Sequence, residues 1–403
     1  MYAIVGGQVM TITNGTIENG VILVKDGKIE ALGADLQIPE GYEIIDARGQ
    51  VVMPGLIDAH SHISLFGEPS VPATADGNEM THPITAQIRG IDALNPFDPA
   101  IPIVREAGFT TLYTGPGSAN LVGGTGLAIK LRGRTAEEMA IPGTEAMKMA
   151  LGENPKRVYG EQKKAPSTRM GVAAVLREAL VQAQNYLNKI ERAVAEKGDG
   201  EPKLPDRDLK LEALGKVLKR ELKARIHCHR ADDMITAIRV AEEFNLDYSL
   251  EHATEGYKIA DILAEKGVVC VVGPLLMGPS KHELWEVKLE NPGILAKAGV
   301  RVVLQADTSS GTRWLPMHAG LAIKHGMPEE EAFKSVTIYS AELIGVSDRV
   351  GSLEVGKDAD IAIFDGHPFC NMTSCVLTMI DGVVYHNDLC DDDCCCNSDC
   401  CCN

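Results

Sequence analysis

Two histidines separated by one residue, His60 and His62, follow an apolar run that is typical of a β-strand. Side chains two residues apart in a strand point to the same face. Both imidazoles can therefore contact one ion, and neutral imidazole is a preferred ligand of zinc and similar divalent cations. A single His-x-His pair arises by chance in many chains, so a metal site needs support from further ligands.

Further candidate ligands end three more short apolar runs. His227 ends Ala-Arg-Ile-His, His252 ends Tyr-Ser-Leu-Glu-His, and Asp307 ends Val-Val-Leu-Gln-Ala-Asp. His229 follows His227 by two residues and points the same way. We predict His227 as the ligand, and we assign His229 to substrate contact or to the support of a ligand.

Four strand-end ligand sites in this order resemble the amidohydrolase superfamily of metal-dependent hydrolases, and most closely its imidazolonepropionase and prolidase-like branch. The segment 351–362, Gly-Ser-Leu-Glu-Val-Gly-Lys-Asp-Ala-Asp-Ile-Ala, is similar to the stretch in which that family returns to its terminal β-sandwich. The resemblance covers almost the whole chain except its cysteine-rich end. The ligands it implies are His60 and His62 on the first strand, His227 on the fifth, His252 on the sixth and Asp307 after the eighth.

The resemblance also implies a mechanism. A bound cation lowers the pKa of its water from ~15.7 toward about 7, and the resulting hydroxide attacks the carbon of an amide, peptide or cyclic amide. Asp307 would orient the water, accept its proton as a general base and pass the proton to the leaving group. The implied cofactor is one or two divalent metal ions, with zinc as the expected ion.

Two residues could supply the ligand that bridges a second ion. Lys148 stands between two methionines in an apolar run, at the position of the carboxylated lysine of prolidase-like members, whereas Glu153 stands at the strand end, as in the family's deacetylases. The two are five positions apart, so an unbroken strand would send them to opposite faces. A lysine in an apolar strand is unusual unless it is paired or modified. This favours Lys148 and leaves Glu153 as the alternative.

The expected reaction is hydrolysis of a carbon–nitrogen bond, peptide bonds included. Arg230 stands where the resemblance places a glutamate in imidazolonepropionase, three residues past the fifth-strand histidine, and this disfavours both that reaction and a deaminase. A deaminase, a phosphotriesterase-type hydrolase and a catalytically inactive binding or scaffold protein stay open as alternatives. His282, after the seventh strand, is a further candidate for substrate contact, and a solvated loop residue is the equal alternative.

The elements that must position these residues alternate between strands and helices over residues 54–349. Eight apolar strands with helical patterns between them are typical of an α/β fold of the (β/α)8 TIM-barrel type. The predicted strands are 56–60, 109–114, 126–131, 146–151, 224–228, 247–251, 268–273 and 302–306. The predicted helices include 169–197, 232–244, 258–266 and 329–343.

The two ends of the chain predict β structure outside the barrel. Residues 1–53 contain short strands with a hairpin signal at Asp26-Gly27, and residues 350–388 return to strands with a turn at Asp381-Gly382. The resemblance implies that these segments pair into one small β-sandwich. Residues 389–403 form a cysteine- and aspartate-rich tail, for which we expect disorder, with soft-metal binding through thiolates as the alternative.

Composition narrows the function classes. A chain of 403 residues suits one large domain with an accessory one, and a net charge of −17 disfavours nucleic acid and anionic membranes as partners. Neither a signal peptide nor an apolar run of about 18 residues is apparent. We therefore expect a cytoplasmic homo-oligomer that acts on a small molecule and binds neither nucleic acid nor membrane.

Overall fold

The computed structural model describes residues 1–197 and 200–389, so most of the predicted cysteine-rich tail lies outside the described residues. Its strands are β1 (Tyr2–Met10), β2 (Thr16–Lys25), β3 (Lys28–Gly33), β4 (Glu43–Asp46), β5 (Val51–Pro54), β6 (Leu56–Ser61), β7 (Phe109–Thr114), β8 (Val122–Lys130), β9 (Ala146–Ala150), β10 (Lys223–Cys228), β11 (Tyr248–His252), β12 (Cys270–Val272), β13 (Val302–Leu304), β14 (Ile361–Phe364), β15 (Cys375–Ile380) and β16 (Val383–Asn387). Its helices are α1 (Ala100–Glu106), α2 (Ala136–Met139), α3 (Glu153–Glu161), α4 (Arg169–Ala195), α5 (Leu209–Leu218), α6 (Ala231–Glu243), α7 (Ala260–Glu265), α8 (Asn291–Lys297), α9 (Leu315–Lys324), α10 (Glu329–Ser335) and α11 (Ile338–Leu343).

One sheet combines the two ends of the chain. Its strand order is β16-β15-β14-β5-β1-β2-β3, and β4 also pairs with β1. Ile361 pairs with Pro54 and Phe364 with Val51 in antiparallel register, so the C-terminal strands extend the N-terminal sheet. The sheet encloses an apolar core of its own, which includes Ile22. This arrangement fits the predicted sandwich of terminal segments.

The second sheet contains β6 to β13 in sequential order and forms a nearly closed barrel, because β13 also contacts β6. Every residue of β6, β7 and β9 is buried. Strands that are covered on both faces read as continuous apolar runs rather than as alternating patterns. The apolar runs in the sequence therefore predicted the positions of these strands well.

The third barrel strand departs from the predicted parallel pattern. β8 is antiparallel to both neighbours: Thr111 pairs with Lys130, and Gly126 pairs with Ala146. Residues 115–121 connect β7 to β8, whereas a parallel pair needs a crossover of roughly a dozen residues or more. The prediction of eight parallel strands was therefore wrong at this strand, which also begins earlier than predicted.

The predicted helix 329–343 consists of two helices, α10 and α11. The break coincides with side-chain hydroxyls that bond to the backbone: Thr337 Oγ1 donates to the Phe333 carbonyl oxygen at 2.6 Å, and Ser340 Oγ donates to the Ser335 carbonyl oxygen at 2.8 Å. Such bonds compete with the regular helical pattern. The long predicted helix at 169–197 is α4. Within the described ranges, no helix combines the length and apolarity needed to cross a membrane.

A buried ion cluster joins the barrel to the terminal sheet. Lys130, at the end of β8, places Nζ 2.7 Å from Asp360 Oδ1, 3.0 Å from Asp381 Oδ1 and 3.1 Å from Asp358 Oδ2. Burial alone would lower the pKa of Lys130, but the three carboxylates outweigh burial and raise that pKa. The spacing of these aspartates could also suit a metal cation. The Lys130 ammonium supplies the positive charge that they require.

Replacing Lys130 by methionine should therefore cost about 3–5 kcal/mol of unfolding free energy, because Asp360 stays buried without a countercharge, whereas Asp358 keeps Lys28 and Arg349. Denaturant unfolding near pH 7 measures the cost. Lys28→Met is the matched control, because Lys28 also pairs with Asp358, at 2.6 Å, but is 49% exposed. The Lys28→Met variant should lose less than about 1 kcal/mol of unfolding free energy.

The cost of Lys130→Met should also depend on pH. Burial would raise the pKa of Asp358, but the charge of Lys130 lowers it overall. The wild type therefore keeps this stabilisation above the usual aspartate pKa and loses it as the pH falls through the lowered pKa. In the variant the Asp358 carboxylate lacks the largest of the charges that lower its pKa, so it takes up a proton at higher pH and the cost should shrink between about pH 6 and pH 3. A cost that stays constant over this range would contradict the assignment.

Candidate active site

The carboxyl ends of the barrel strands bring four predicted histidines together. The ring centroid of His252 lies 5.1 Å from that of His60, 4.3 Å from that of His227 and 4.6 Å from that of His229. All four side chains are buried. His60 and His227 lie on β6 and β10, and His252 ends β11, so His252 is the centre of the cluster.

Asp307 follows β13 and faces the same cluster. Its Oδ1 lies 3.1 Å from His62 Nε2 and 3.4 Å from His60 Nε2, and its Oδ2 lies 4.0 Å from His252 Nδ1. Burial would raise the pKa of Asp307, but the imidazoles of His252 and His62 hold that pKa well below its usual range. The carboxylate is therefore ionised at neutral pH.

Backbone strain marks two of these residues. His252 has a φ of 71° and Asp307 a φ of 54°, both in the left-handed region that L-residues rarely adopt. Such conformations cost on the order of 1–3 kcal/mol each and concentrate at functional sites. The barrel therefore holds both side chains against a local backbone preference.

Lys148 joins the cluster from within β9. Its Nζ lies 3.0 Å from His60 Nε2. The side chain is buried, and burial lowers the pKa of Lys148 to about 8. The register places Lys148 beside Arg225 on β10. Of the two predicted candidates for a bridging ligand, the geometry therefore favours Lys148.

Two other predicted site residues lie away from the histidines. Glu153 begins α3 after Gly152, whose φ of 86° turns the chain out of the strand, and its Oε2 accepts a hydrogen bond from the Glu283 backbone N at 3.3 Å. His282 is exposed at the start of a 3-10 turn, His282–Leu284. The structure therefore does not bring either residue into the cluster.

Sequence reasoning missed Glu283, the residue after His282. Glu283 is fully buried, with its Oε1 3.7 Å from His229 Nε2 and 3.9 Å from His227 Nε2. Lys281 Nζ lies 2.6 Å from the same oxygen. These residues lie in a polar loop whose sequence has neither helical nor strand periodicity, so the sequence gives no sign that they lie beside the histidines.

Glu251 fixes the orientation of His60. Its Oε2 accepts from His60 Nδ1 at 2.7 Å, and Arg225 donates to both of its oxygens at 3.1 and 2.8 Å. Ser249 adds a donor at 2.5 Å. Burial would raise the pKa of Glu251, but the charge of Arg225 holds that pKa well below its usual range. A proton on Nδ1 leaves Nε2 of His60 free as a ligand atom.

The same arrangement recurs at two other imidazoles. His62 Nδ1 lies 2.7 Å from the Gly115 carbonyl oxygen, and His252 Nδ1 lies 2.9 Å from the Gly273 carbonyl oxygen. Because a carbonyl oxygen can only accept, the His62 imidazole donates through Nδ1, and its Nε2 is left to accept a cation. At His252 the side-chain amide nitrogen of Gln305 lies equally close to Nδ1, at 2.9 Å.

Two tests support a metal at this site. His252 Nε2 and His227 Nδ1 are buried and find no hydrogen-bond partner among the residues that the structure describes, although an unpaired buried polar atom costs about 1–3 kcal/mol. Burial also lowers the pKa of His252 to about 4, so its imidazole is neutral, as metal ligation requires. Two sets of donors have ligand atoms within 4.8 Å of one another: His60, His252 and Asp307, and His227, His229 and His252.

Comparison with known proteins gives the family. The model of the Amidohydrolase family matches residues 51–386. This chain belongs to the amidohydrolase family. The resemblance inferred from the strand-end ligands is therefore confirmed, and the chain is a hydrolase of that family.

Individual relatives agree with this assignment. This chain is 30% identical over 394 residues to the amidohydrolase tasK of Hapsidospora irregularis. The matched region covers 92% of this chain but only 40% of the length of tasK. The chain is 29% identical over 380 residues to the imidazolonepropionase of Geobacillus sp. (strain WCH70), covering 87% of this chain and 84% of that protein.

Solved structures agree as well. The crystal structure of an amidohydrolase from Thermotoga maritima MSB8 is 42% identical, has a TM-score of 0.91 and covers 96% of this chain and 100% of that one. A solved prolidase shares the fold at 16% identity and a TM-score of 0.59. At that identity the likeness concerns the fold alone.

Replacing Glu251 by glutamine should cost the amidohydrolase about 3–5 kcal/mol of unfolding free energy after treatment with a chelator, because Arg225 keeps a buried charge without its partner. Denaturant unfolding measures this cost. Ser249→Ala is the control, since it removes a hydrogen bond to Glu251 but leaves the ion pair intact, at a cost of about 1–3 kcal/mol. If the two variants lose the same stability, Glu251 is not the countercharge of Arg225.

Proposed function

We propose that this amidohydrolase is a metal-dependent enzyme that cleaves a carbon–nitrogen bond of a small molecule, in an amide, a peptide or a cyclic amide. The observation that supports the proposal most is the meeting of the buried neutral imidazoles of His60 and His252 with the ionised Asp307 at one end of the barrel. Imidazole and carboxylate are the ligands that zinc takes in hydrolases.

The residues would hold one or two ions. His60, His62 and Asp307 would bind one ion, His227 and His252 would bind a second, and Lys148 would add a ligand after carboxylation of its amine. When bound, a divalent cation lowers the pKa of a water molecule toward about 7 and polarises a carbonyl oxygen. The low pKa of Lys148 supports the carboxylation, because the uncharged amine is the form that reacts with carbon dioxide.

The chain's own residues would move the protons. Asp307 is 25% exposed, so its carboxylate can reach an incoming molecule. It would orient the attacking water, take up its proton and donate that proton to the leaving nitrogen, which is general acid–base catalysis by one group. His229, with Nδ1 held by Thr254 Oγ1 at 2.7 Å, would contact the substrate through Nε2.

The net charge and the free cysteines bear on the substrate class and the cellular compartment. The net charge of −17 favours a small-molecule substrate over nucleic acid. Cys228, Cys270 and Cys375 are free and buried, as in proteins of a reducing compartment, which supports a cytoplasmic enzyme. The homo-oligomer is a proposal that light scattering of the purified protein can test.

Metal analysis separates the enzyme from an inactive scaffold. The purified protein should carry one or two equivalents of divalent metal, and a double variant, His60→Asn with His252→Asn, should carry less than about a tenth of that amount because both donor sets lose ligands. Elemental mass spectrometry measures the content. His367→Asn is the matched control, since His367 pairs with Glu329 far from the cluster. A wild type without stoichiometric metal would support the scaffold.

Asp307→Asn should lower kcat about 10²–10⁴-fold, because the amide cannot accept the proton of the attacking water. Activity is measured on dipeptides, N-acyl amino acids, hydantoins and aryl phosphotriesters, and it is expressed per bound metal ion so that lost metal is not counted as lost catalysis. Release of an amine from the first two classes, or ring opening of a hydantoin to an N-carbamoyl amino acid, distinguishes C–N hydrolysis from a phosphotriesterase. An Asp307→Asn variant that is as active as the wild type per metal ion would exclude the proposed role.

A further inference from the structure

Three polar side chains from three different loops meet beside His227. Ser118 lies between β7 and β8, Asn154 in the first turn of α3, and Lys281 after β12. Asn154 Nδ2 donates to Ser118 Oγ at 2.9 Å, and Asn154 Oδ1 accepts from Lys281 Nζ at 3.0 Å. Asn154 Nδ2 also lies 3.5 Å from His227 Nε2. The group therefore stands at the rim of the histidine cluster.

Glu283 holds the lysine of this group from behind. Lys281 Nζ lies 2.6 Å from Glu283 Oε1, and the lysine side chain is 20% exposed whereas Glu283 is fully buried. The other oxygen of Glu283 accepts from the Glu153 backbone N at 2.9 Å. A molecule that enters from solvent therefore meets the ammonium and not the carboxylate behind it.

The chemistry of the group suits an anion. An ammonium carries three N–H donors, of which two face Glu283 and Asn154, and the amide of Asn154 and the hydroxyl of Ser118 carry further donors. Hydrogen bonds between an ammonium and a carboxylate are about twice as strong as neutral ones. Ser118 and Asn154 are only partly buried, so they too can reach a ligand.

The second cation near the site, Arg230, pairs with a carboxylate as Lys281 does, but it points away from the histidines. Arg230, which follows His229, directs its guanidinium to Asp232, with Nε 2.9 Å from Oδ1. The buried Asp233 on the same helix pairs with Arg169 instead, at 3.0 Å. The Arg230 side chain therefore points to its own helix terminus, whereas Lys281 is joined through Glu283 to both His227 and His229.

We infer that Lys281, with Asn154 and Ser118, binds a carboxylate of the substrate, and that the substrate is an N-acyl amino acid or a dipeptide. In such molecules one carbon separates the carboxylate from the nitrogen of the bond to be cleaved, so a carboxylate beside His227 would bring that bond to the histidine cluster. The inference rests on the proposed hydrolysis of a C–N bond and narrows it, because a hydantoin lacks this carboxylate.

The test uses a panel of N-acetyl amino acids, each beside its carboxamide, on the metal-loaded protein. The two members of a pair differ in the negative charge. Where a probe is hydrolysed, kcat/KM is compared; where it is not, Kd is measured by calorimetry. We expect kcat/KM or affinity of the wild type to be about 10- to 100-fold higher for the acid than for the carboxamide in at least one pair. A charge-assisted hydrogen bond gives a difference of this size.

Lys281→Met should reduce this preference to near one, while Lys281→Arg should keep part of it. Because the methionine variant leaves Glu283 buried without its partner, a second variant combines Lys281→Met with Glu283→Gln and keeps the loop neutral. Arg230→Met is the matched control and should keep the wild-type preference. Metal content and unfolding are measured for each variant.

Each outcome bears on one of the two claims. A wild type that treats acid and carboxamide alike in every pair, or a preference that Arg230→Met and not Lys281→Met removes, overturns the carboxylate site. Cleavage of carboxamides as fast as acids leaves the hydrolase standing without this site. Preferential binding of acids without any release of acetate supports the site and contradicts the proposed hydrolysis.

Discussion

The site depends on one constraint: ionisable groups must be buried at the barrel end and still be held in the protonation state that they need. Burial keeps the histidines neutral, since it lowers the pKa of His60, His227 and His229 well below the usual range. Charged groups there are tolerated only with a partner. Arg225 pairs with Glu251, and Lys281 pairs with Glu283. The result is a buried cluster of neutral imidazoles surrounded by charged groups that are paired.

This constraint also explains why the supporting residues come from strands next to the ligands. Glu251 directly precedes His252 on β11. Its carboxylate lies 2.7 Å from His60 Nδ1, and the His252 ring lies 5.1 Å from the His60 ring. Arg225 lies two residues before His227 on β10 and bonds to Glu251 on the neighbouring strand β11. Strand β11 thus provides a candidate ligand, His252, and also the residue that orients another candidate ligand, since Glu251 bonds to His60.

Much of this arrangement could be predicted from the sequence. The ligands end apolar runs, and a parallel barrel gathers strand ends at one rim, so His60, His227 and Asp307 meet although they are far apart in the chain. The direction of β8 could not be read, because a buried strand has the same apolar pattern in either direction. Glu283 and Lys281 were missed because a loop residue carries no periodic signal, and its place depends on how that loop crosses the rim.

The antiparallel β8 and the ion cluster of Lys130 together link the barrel to the C-terminal segment of the chain. Since β8 runs against its neighbours, its last residue lies at the base of the barrel, opposite the histidines, where the terminal sheet covers it. A barrel made without residues 358–381 would lack the three carboxylates that pair with Lys130. Truncation or exchange of the C-terminal segment would then disable the catalytic half of the molecule from a distance, without altering any residue of the pocket.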